Sequence, residues 1–248
     1  VTSVEEVLVL AFGLVIGSFL NVVIYRLPRG QSIVWPRSRC TNCGTSLGPL
    51  ELVPILSYVF LRGKCRHCGE AISWRYPLGE LVTAMGFLAL YRRFGPTPQF
   101  GLGLILVSAL IVASGIDLEF RRIPNVIVAP LAGLGVVSAA VIDGGSALES
   151  IFGAALGASL FGAVAALSRG GIGMGDVKLL AAIGAWVGWR GVIMTAALSS
   201  ILASIVGLTL MIAGVIDRRH PLPFGPFLSL VGVVVHLYEE RLLELWLG

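Results

Sequence analysis

Few residues in this chain could do chemistry, so their positions can be examined singly. Asp and Glu together number 14 in 248 residues, and two aspartates stand apart. Asp117 closes the apolar run from Leu104 to Ile116, and Asp176 opens the run from Val177 to Val187. Two carboxyls held close cannot both ionise, so one stays protonated while its partner serves as base. The base takes a proton from water and the acid polarises a scissile carbonyl, which is the chemistry of an aspartyl peptidase. Asp176 ends Gly173-Met174-Gly175-Asp176, where Gly173 and Gly175 remove side-chain bulk and let a substrate backbone approach. Asp117 precedes Arg121-Arg122-Ile123-Pro124-Asn125, where proline can restart a helix. For Asp117 alone, the competing reading is a boundary carboxylate paired with Arg121.

The second cluster is sulfur. The four cysteines form Cys40-Thr41-Asn42-Cys43 and Cys65-Arg66-His67-Cys68, a weak internal duplication with a glycine after each pair. Four thiolates around Zn²⁺ make a closed structural site with no open catalytic position. A loop of about 50 residues is too small to fold well without such a staple. Disulfides are the competing reading, and His67 could replace one cysteine as ligand.

Other catalytic sets fare worse. His220 falls in a loop and His236 is isolated in the last apolar segment, so no Ser-His-Asp set is expected. Gly171-Ile172-Gly173-Met174-Gly175 lacks the preceding strand that a dinucleotide-binding turn requires.

The elements that must position these groups follow from composition. The chain is 56% hydrophobic and 13% charged, against about 25% charged in soluble domains. Lipid must therefore be part of its solvent. Eight apolar segments can be drawn, near 7–25, 77–94, 101–118, 125–142, 150–168, 177–190, 192–216 and 224–246. They predict an all-α polytopic membrane protein of about eight transmembrane helices with a small zinc-bound cytosolic insertion. The sixth and seventh, joined by a tight turn at Trp189-Arg190-Gly191, could instead form one re-entrant element. Three parts result: a first helix (1–25), a zinc-knuckle loop (26–76) and a seven-helix core (77–248). The acidic opening Glu5-Glu6 is unlike a signal peptide, so the first apolar run is read as a retained helix. With Val at position 1, an initiator Met is expected to precede it or to have been removed. Small residues such as Gly153 and Gly157 are read as helix-packing positions without chemistry.

Charge sets the expected orientation. Fourteen of the 18 Lys and Arg fall in alternate loops on one side, among them Arg29, Arg37, Arg39, Arg62, Lys64, Arg66, Arg121, Arg122, Arg169, Lys178, Arg218 and Arg219. Only Arg92, Arg93, Arg190 and Arg241 fall on the other. The positive-inside rule then puts the cysteine loop and both aspartates at the cytoplasmic face, with both termini outside. The net charge of +4 is explained by this asymmetry, and no basic stripe interleaved with aromatics points to nucleic acid.

These motifs, in this order, resemble the bacterial type IV prepilin peptidases, the leader peptidase/N-methyltransferases. The likeness rests on Gly17-Ser18-Phe19-Leu20-Asn21-Val22-Val23-Ile24-Tyr25-Arg26-Leu27-Pro28, both cysteine pairs, Arg75-Tyr76-Pro77 with Glu80, and Asp117 with Ile123-Pro124-Asn125. Gly173-Met174-Gly175-Asp176-Val177-Lys178 and Pro223-Phe224-Gly225-Pro226-Phe227 complete it. The resemblance implies removal of the basic leader from prepilins or pseudopilins at the cytoplasmic face of a bacterial inner membrane, usually after glycine. N-methylation of the new terminus with S-adenosylmethionine would follow, and Asp117 and Asp176 would be the catalytic pair. It also implies Glu51, Gly63 and Lys64 as methyl-transfer candidates. Glu51, Glu70, Glu80 and Glu119 are possible partners for the basic leader. The cysteine loop favours the bifunctional bacterial type over archaeal preflagellin peptidases. The alternatives are a presenilin-like intramembrane protease and a non-enzymatic zinc-loop assembly factor of a pilus or secretion complex.

Overall fold

A computed structural model of the chain describes residues 3–142, 147–167, 173–217 and 222–247. Arg169, Gly171, Ile172, Arg218, Arg219 and His220, which entered the sequence argument, lie outside the described residues. Among the described residues the elements are helical, with two isolated β-bridges in the insertion. Helices α1 (Val4–Arg26), α2 (Leu56–Phe60), α3 (Arg75–Phe94) and α4 (Pro98–Phe120) come first. Then come α5 (Asn125–Val141), α6 (Ala147–Leu167), α7 (Met174–Ile212) and α8 (Gly225–Leu247).

Four of these, α1, α4, α6 and α7, are long and apolar enough to cross a membrane, and α5 is a shorter apolar helix. Helices α3 and α8 match them in length but carry more charge, including Arg75, Glu80, Arg92 and Arg93 in α3. The sixth and seventh apolar segments are two helices that meet at a kink within α7. The break falls at Gly188 (φ 66°, ψ −171°) rather than at 189–191. Only glycine takes such a conformation without strain, so the chain turns there and not at Trp189 or Arg190.

The chain divides into two compact units, Val1–Val112 and Ala113–Gly248, with the division inside α4. In the first, α1 begins in a capping box between Ser3 and Glu6 and packs along α3. A Cβ on Gly17 would stand 2.7 Å from the Glu80 Cα, so the two backbones approach closely. At one end of the pair, Arg92 Nε donates to Glu6 Oε1 at 2.7 Å and the Tyr91 hydroxyl donates to Glu5. At the other, Asn21 Nδ2 donates to the Tyr76 carbonyl at 3.0 Å. The buried Arg26 guanidinium there donates to the Ser32 and Arg37 carbonyls at 3.0 and 3.4 Å, fixing the root of the insertion.

The second unit is built on α7, which packs against α5, α6 and α8. Its tightest crossing is α6 on α7, where a Cβ on Gly153 would lie 2.3 Å from the Gly184 carbonyl oxygen. Beside it, the buried Ser150 hydroxyl donates to the Ala185 carbonyl at 2.5 Å. The Gly153→Val variant is therefore expected to lose about 1–3 kcal/mol by overpacking, read as a lowered Tm in detergent. An unchanged Tm would mean that the two helices separate without cost.

Candidate functional site

Asp117 and Asp176 reach the second unit from different helices, one near the end of α4 and the other in the first turn of α7. Asp117 is buried at 6% exposure. Its Oδ2 accepts the backbone N–H of Gly225 at 2.9 Å. Gly225 opens α8, so the positive end of that helix faces the carboxylate. Arg121 acts on Asp117 electrostatically, while its own backbone N–H returns to the Asp117 carbonyl at 2.9 Å. The competing single-residue reading, a carboxylate paired with Arg121, thus describes only part of the surroundings.

Asp176 is half-buried, and the charge of Asp117 acts on it through space. Among the described residues its Oδ1 is buried without a hydrogen-bond partner. The segments carrying the two aspartates are tied together twice. Ile123 packs on Gly175, where a Cβ would stand 3.1 Å from Ile123 Cβ, and Lys178 Nζ donates to Asn125 Oδ1 at 3.0 Å. Gly175 thus admits the Ile123-Pro124-Asn125 turn, and Gly173, exposed, precedes the helix.

Gly225 carries a role that the sequence argument did not assign. A Cβ there would come within 2.8 Å of Asp117 Oδ2 and 3.2 Å of its Cβ and Cγ. The available signal was Pro223-Phe224-Gly225, a glycine opening the last apolar segment. If Asp117 is catalytic, Gly225→Ala should displace its carboxyl and cost on the order of 10²-fold in kcat with KM little changed. A wild-type kcat in a variant of unchanged Tm would remove Gly225 from the site.

The cysteines come together in the first unit. The four Sγ atoms lie within 4.8 Å of one another, and Cys40 Sγ is 3.8 Å from Cys68 Sγ. A tetrahedral site with Zn–S bonds of about 2.3 Å requires sulfur–sulfur edges of about 3.8 Å, so the set fits that ion. Each pair sits on the same turn. Cys40 N–H donates to the Thr45 carbonyl at 2.9 Å and Cys65 N–H to the Glu70 carbonyl at 2.8 Å, with Gly44 and Gly69 at φ 72° and 73°. Bridges Arg39 to Ser46 and Lys64 to Ala71 close the two turns at matching offsets. The Thr45 hydroxyl, 3.4 Å from Cys43 Sγ, draws that thiol down to about 6. At Cys68 the Glu70 amide favours the thiolate, but desolvation and the Cys65 and Cys43 sulfurs outweigh it and push Cys68 up to about 11. Four thiols crowded together do not all ionise unaided, and a divalent cation at their centre removes that conflict.

The remaining candidates are in the insertion or near it. Glu51 is turned inward: its Oε2 accepts the Gly48 N–H at 2.7 Å, and its Oε1 lies 3.4 Å from His67 Nε2. His67 thus meets a carboxylate, and the four cysteines form the candidate metal group without it. Gly63 has φ 66° and lies against the Tyr58 hydroxyl, and Lys64 is exposed. Glu80 is buried and accepts the Ile55 N–H at 2.7 Å. Glu70 and Glu119 are exposed. His236 is placed edge-on to Trp186, with ring centroids 6.0 Å apart.

The two sites and the apolar helices define a class, a helical chain suited to a membrane with an aspartate pair and a four-cysteine cluster. Residues 11–94 match the Bacterial Peptidase A24 N-terminal domain, and residues 104–208 match the Type IV leader peptidase family. The chain is 34% identical over 236 residues to the prepilin leader peptidase/N-methyltransferase of Bacillus subtilis, covering 95% of each. It is 35% identical over 265 residues to that of Pseudomonas aeruginosa, covering 95% of this chain and 91% of the relative. The corresponding protein of Burkholderia pseudomallei is 36% identical over 275 residues, covering 93% and 84%. No solved structure is a significant match. The chain belongs to the type IV leader peptidase family.

Proposed function

We propose that this chain is a membrane aspartyl endopeptidase that removes the basic leader of type IV prepilins or pseudopilins at the cytoplasmic membrane face. Asp117 and Asp176 are its catalytic pair. The observation that carries this reading is the buried Asp117 carboxyl, fixed by the Gly225 amide and electrostatically coupled to Asp176. One carboxyl holds a proton and polarises the scissile carbonyl. The other takes a proton from the attacking water. Of the two glycines expected in an active-site loop, Gly173 precedes α7 and Gly175 lies in its first turn, next to Asp176. The charge asymmetry supports about eight spans in a bacterial inner membrane, with the long first loop in the cytoplasm.

The relatives are named N-methyltransferases as well, and the second activity proposed for this chain is N-methylation of the new terminus with S-adenosylmethionine as methyl donor. Its candidate residues are Glu51, Gly63 and Lys64; Glu51 Oε2 accepts the Gly48 N–H, and its buried Oε1 has no hydrogen-bond partner among the described residues. Gly63 and exposed Lys64 directly precede Cys65 in the same insertion. Cys40, Cys43, Cys65 and Cys68 hold a structural Zn²⁺ beside them.

The test is incubation of purified enzyme in detergent with a peptide carrying a basic leader, a Gly-Phe junction and an apolar segment. Mass spectrometry is expected to find scission at the junction, and one added methyl group on the new terminus when S-adenosylmethionine is supplied. An intact peptide, or scission inside its apolar segment, would contradict this substrate class.

A further inference from the structure

The insertion exposes apolar side chains that its own fold does not use. Leu56 is 55% exposed, Val59 63% and Phe60 81%, in helix α2. Their i, i+3, i+4 spacing puts all three on one face. Tyr58 turns the other way, its hydroxyl 3.0 Å from where a Gly63 Cβ would stand. Just before α2, Leu50 is 79% exposed.

The level of α2 is set by the residue that precedes it. Ile55 donates its N–H to Glu80 Oε2 at 2.7 Å, although a β-branched residue at φ 59° is strained. Glu80 lies in the second turn of α3, about 7.5 Å along the axis from Arg75. It packs against Gly17 of α1, roughly 13 Å before that helix ends at Arg26. The start of α2 is thus held beside the α1–α3 pair and not beyond its tip. Helix α1 is itself apolar and largely exposed. Trp74, which directly precedes α3, is 65% exposed, the placement of an interfacial aromatic. Residues 27–74 hold six Lys and Arg against two Glu, complementary to anionic headgroups.

We infer that α2 is an interfacial element, with Leu56, Val59 and Phe60 seated at the headgroup–acyl boundary of an anionic bilayer beside α1 and α3. The insertion is then laid on the membrane surface, and the cysteine cluster is held at a fixed height above it. This inference rests on the membrane reading of α1 but not on any catalytic role, so it can fail while the peptidase reading stands, and the reverse.

The experiment places p-benzoylphenylalanine at position 56, 59 or 60 of the full chain in phosphatidylglycerol–phosphatidylethanolamine vesicles. Val15, 58% exposed on α1, serves as the lipid-facing reference and exposed Arg66 as the solvent-facing one. An unchanged limited-proteolysis pattern certifies each variant, and three positions guard against one failing to fold. Irradiation is expected to give lipid adducts at 59 and 60 in yield comparable to position 15, with loss of the adduct at 66. Absence of lipid adducts at all certified positions would overturn the proposal. So would capture of an added prepilin peptide, or of a second copy of the chain, in place of lipid.

Discussion

Asp117→Asn and Asp176→Asn are each expected to slow leader removal by about 10²–10⁴-fold, the usual range for losing a general acid or base. Asparagine keeps the size of the carboxyl, and its oxygen can still accept the Gly225 N–H, so the fold should survive. Alanine at 117 is a poorer probe. It leaves the Gly225 N–H without its acceptor in a buried site, costing about 1–3 kcal/mol of stability that would be confused with catalysis. The check is the cleavage rate of each asparagine variant beside its Tm. A wild-type rate in either variant would show that its carboxyl takes no part.

The next largest effect belongs to the cysteine cluster. Structural zinc contributes an apparent 10–16 kcal/mol in small zinc domains, so losing one ligand is expected to unfold the insertion. Cys65→Ser should lose its zinc, measured by elemental analysis against one ion per wild-type chain. Its residues 38–72 should become sensitive to protease. Methyl transfer should fall further than cleavage, because Gly63 and Lys64 belong to the same turn as Cys65 while Asp117 and Asp176 lie in the other unit. Protein that keeps an ordered insertion without metal would contradict the zinc assignment and favour another role for the thiols.

Much of this arrangement was legible in the residues. Runs of apolar side chains set the helices, and the edges of two such runs marked Asp117 and Asp176. The cysteine spacing and its glycines marked the paired turns. Other features depend on contacts distant in sequence. Gly225 meets Asp117 across 108 positions through a backbone amide, which no side-chain pattern reveals. Glu80 accepts the Ile55 amide from 25 positions away, a contact that no sequence pattern marks. The break in α7 falls at Gly188, directly before the Trp189-Arg190-Gly191 turn expected from sequence, because only the glycine there takes a positive φ without strain.

The central claim, that two aspartates form one hydrolytic unit, is tested most directly by rates for wild type, Asp117→Asn, Asp176→Asn and the double variant on one prepilin peptide. Residues acting as a unit are grossly non-additive. The account predicts that wild type cuts at the Gly-Phe junction and that all three variants fall to the same residual rate. A double variant slower than the singles by the product of their separate losses, or either single variant cutting at the wild-type rate, would contradict it.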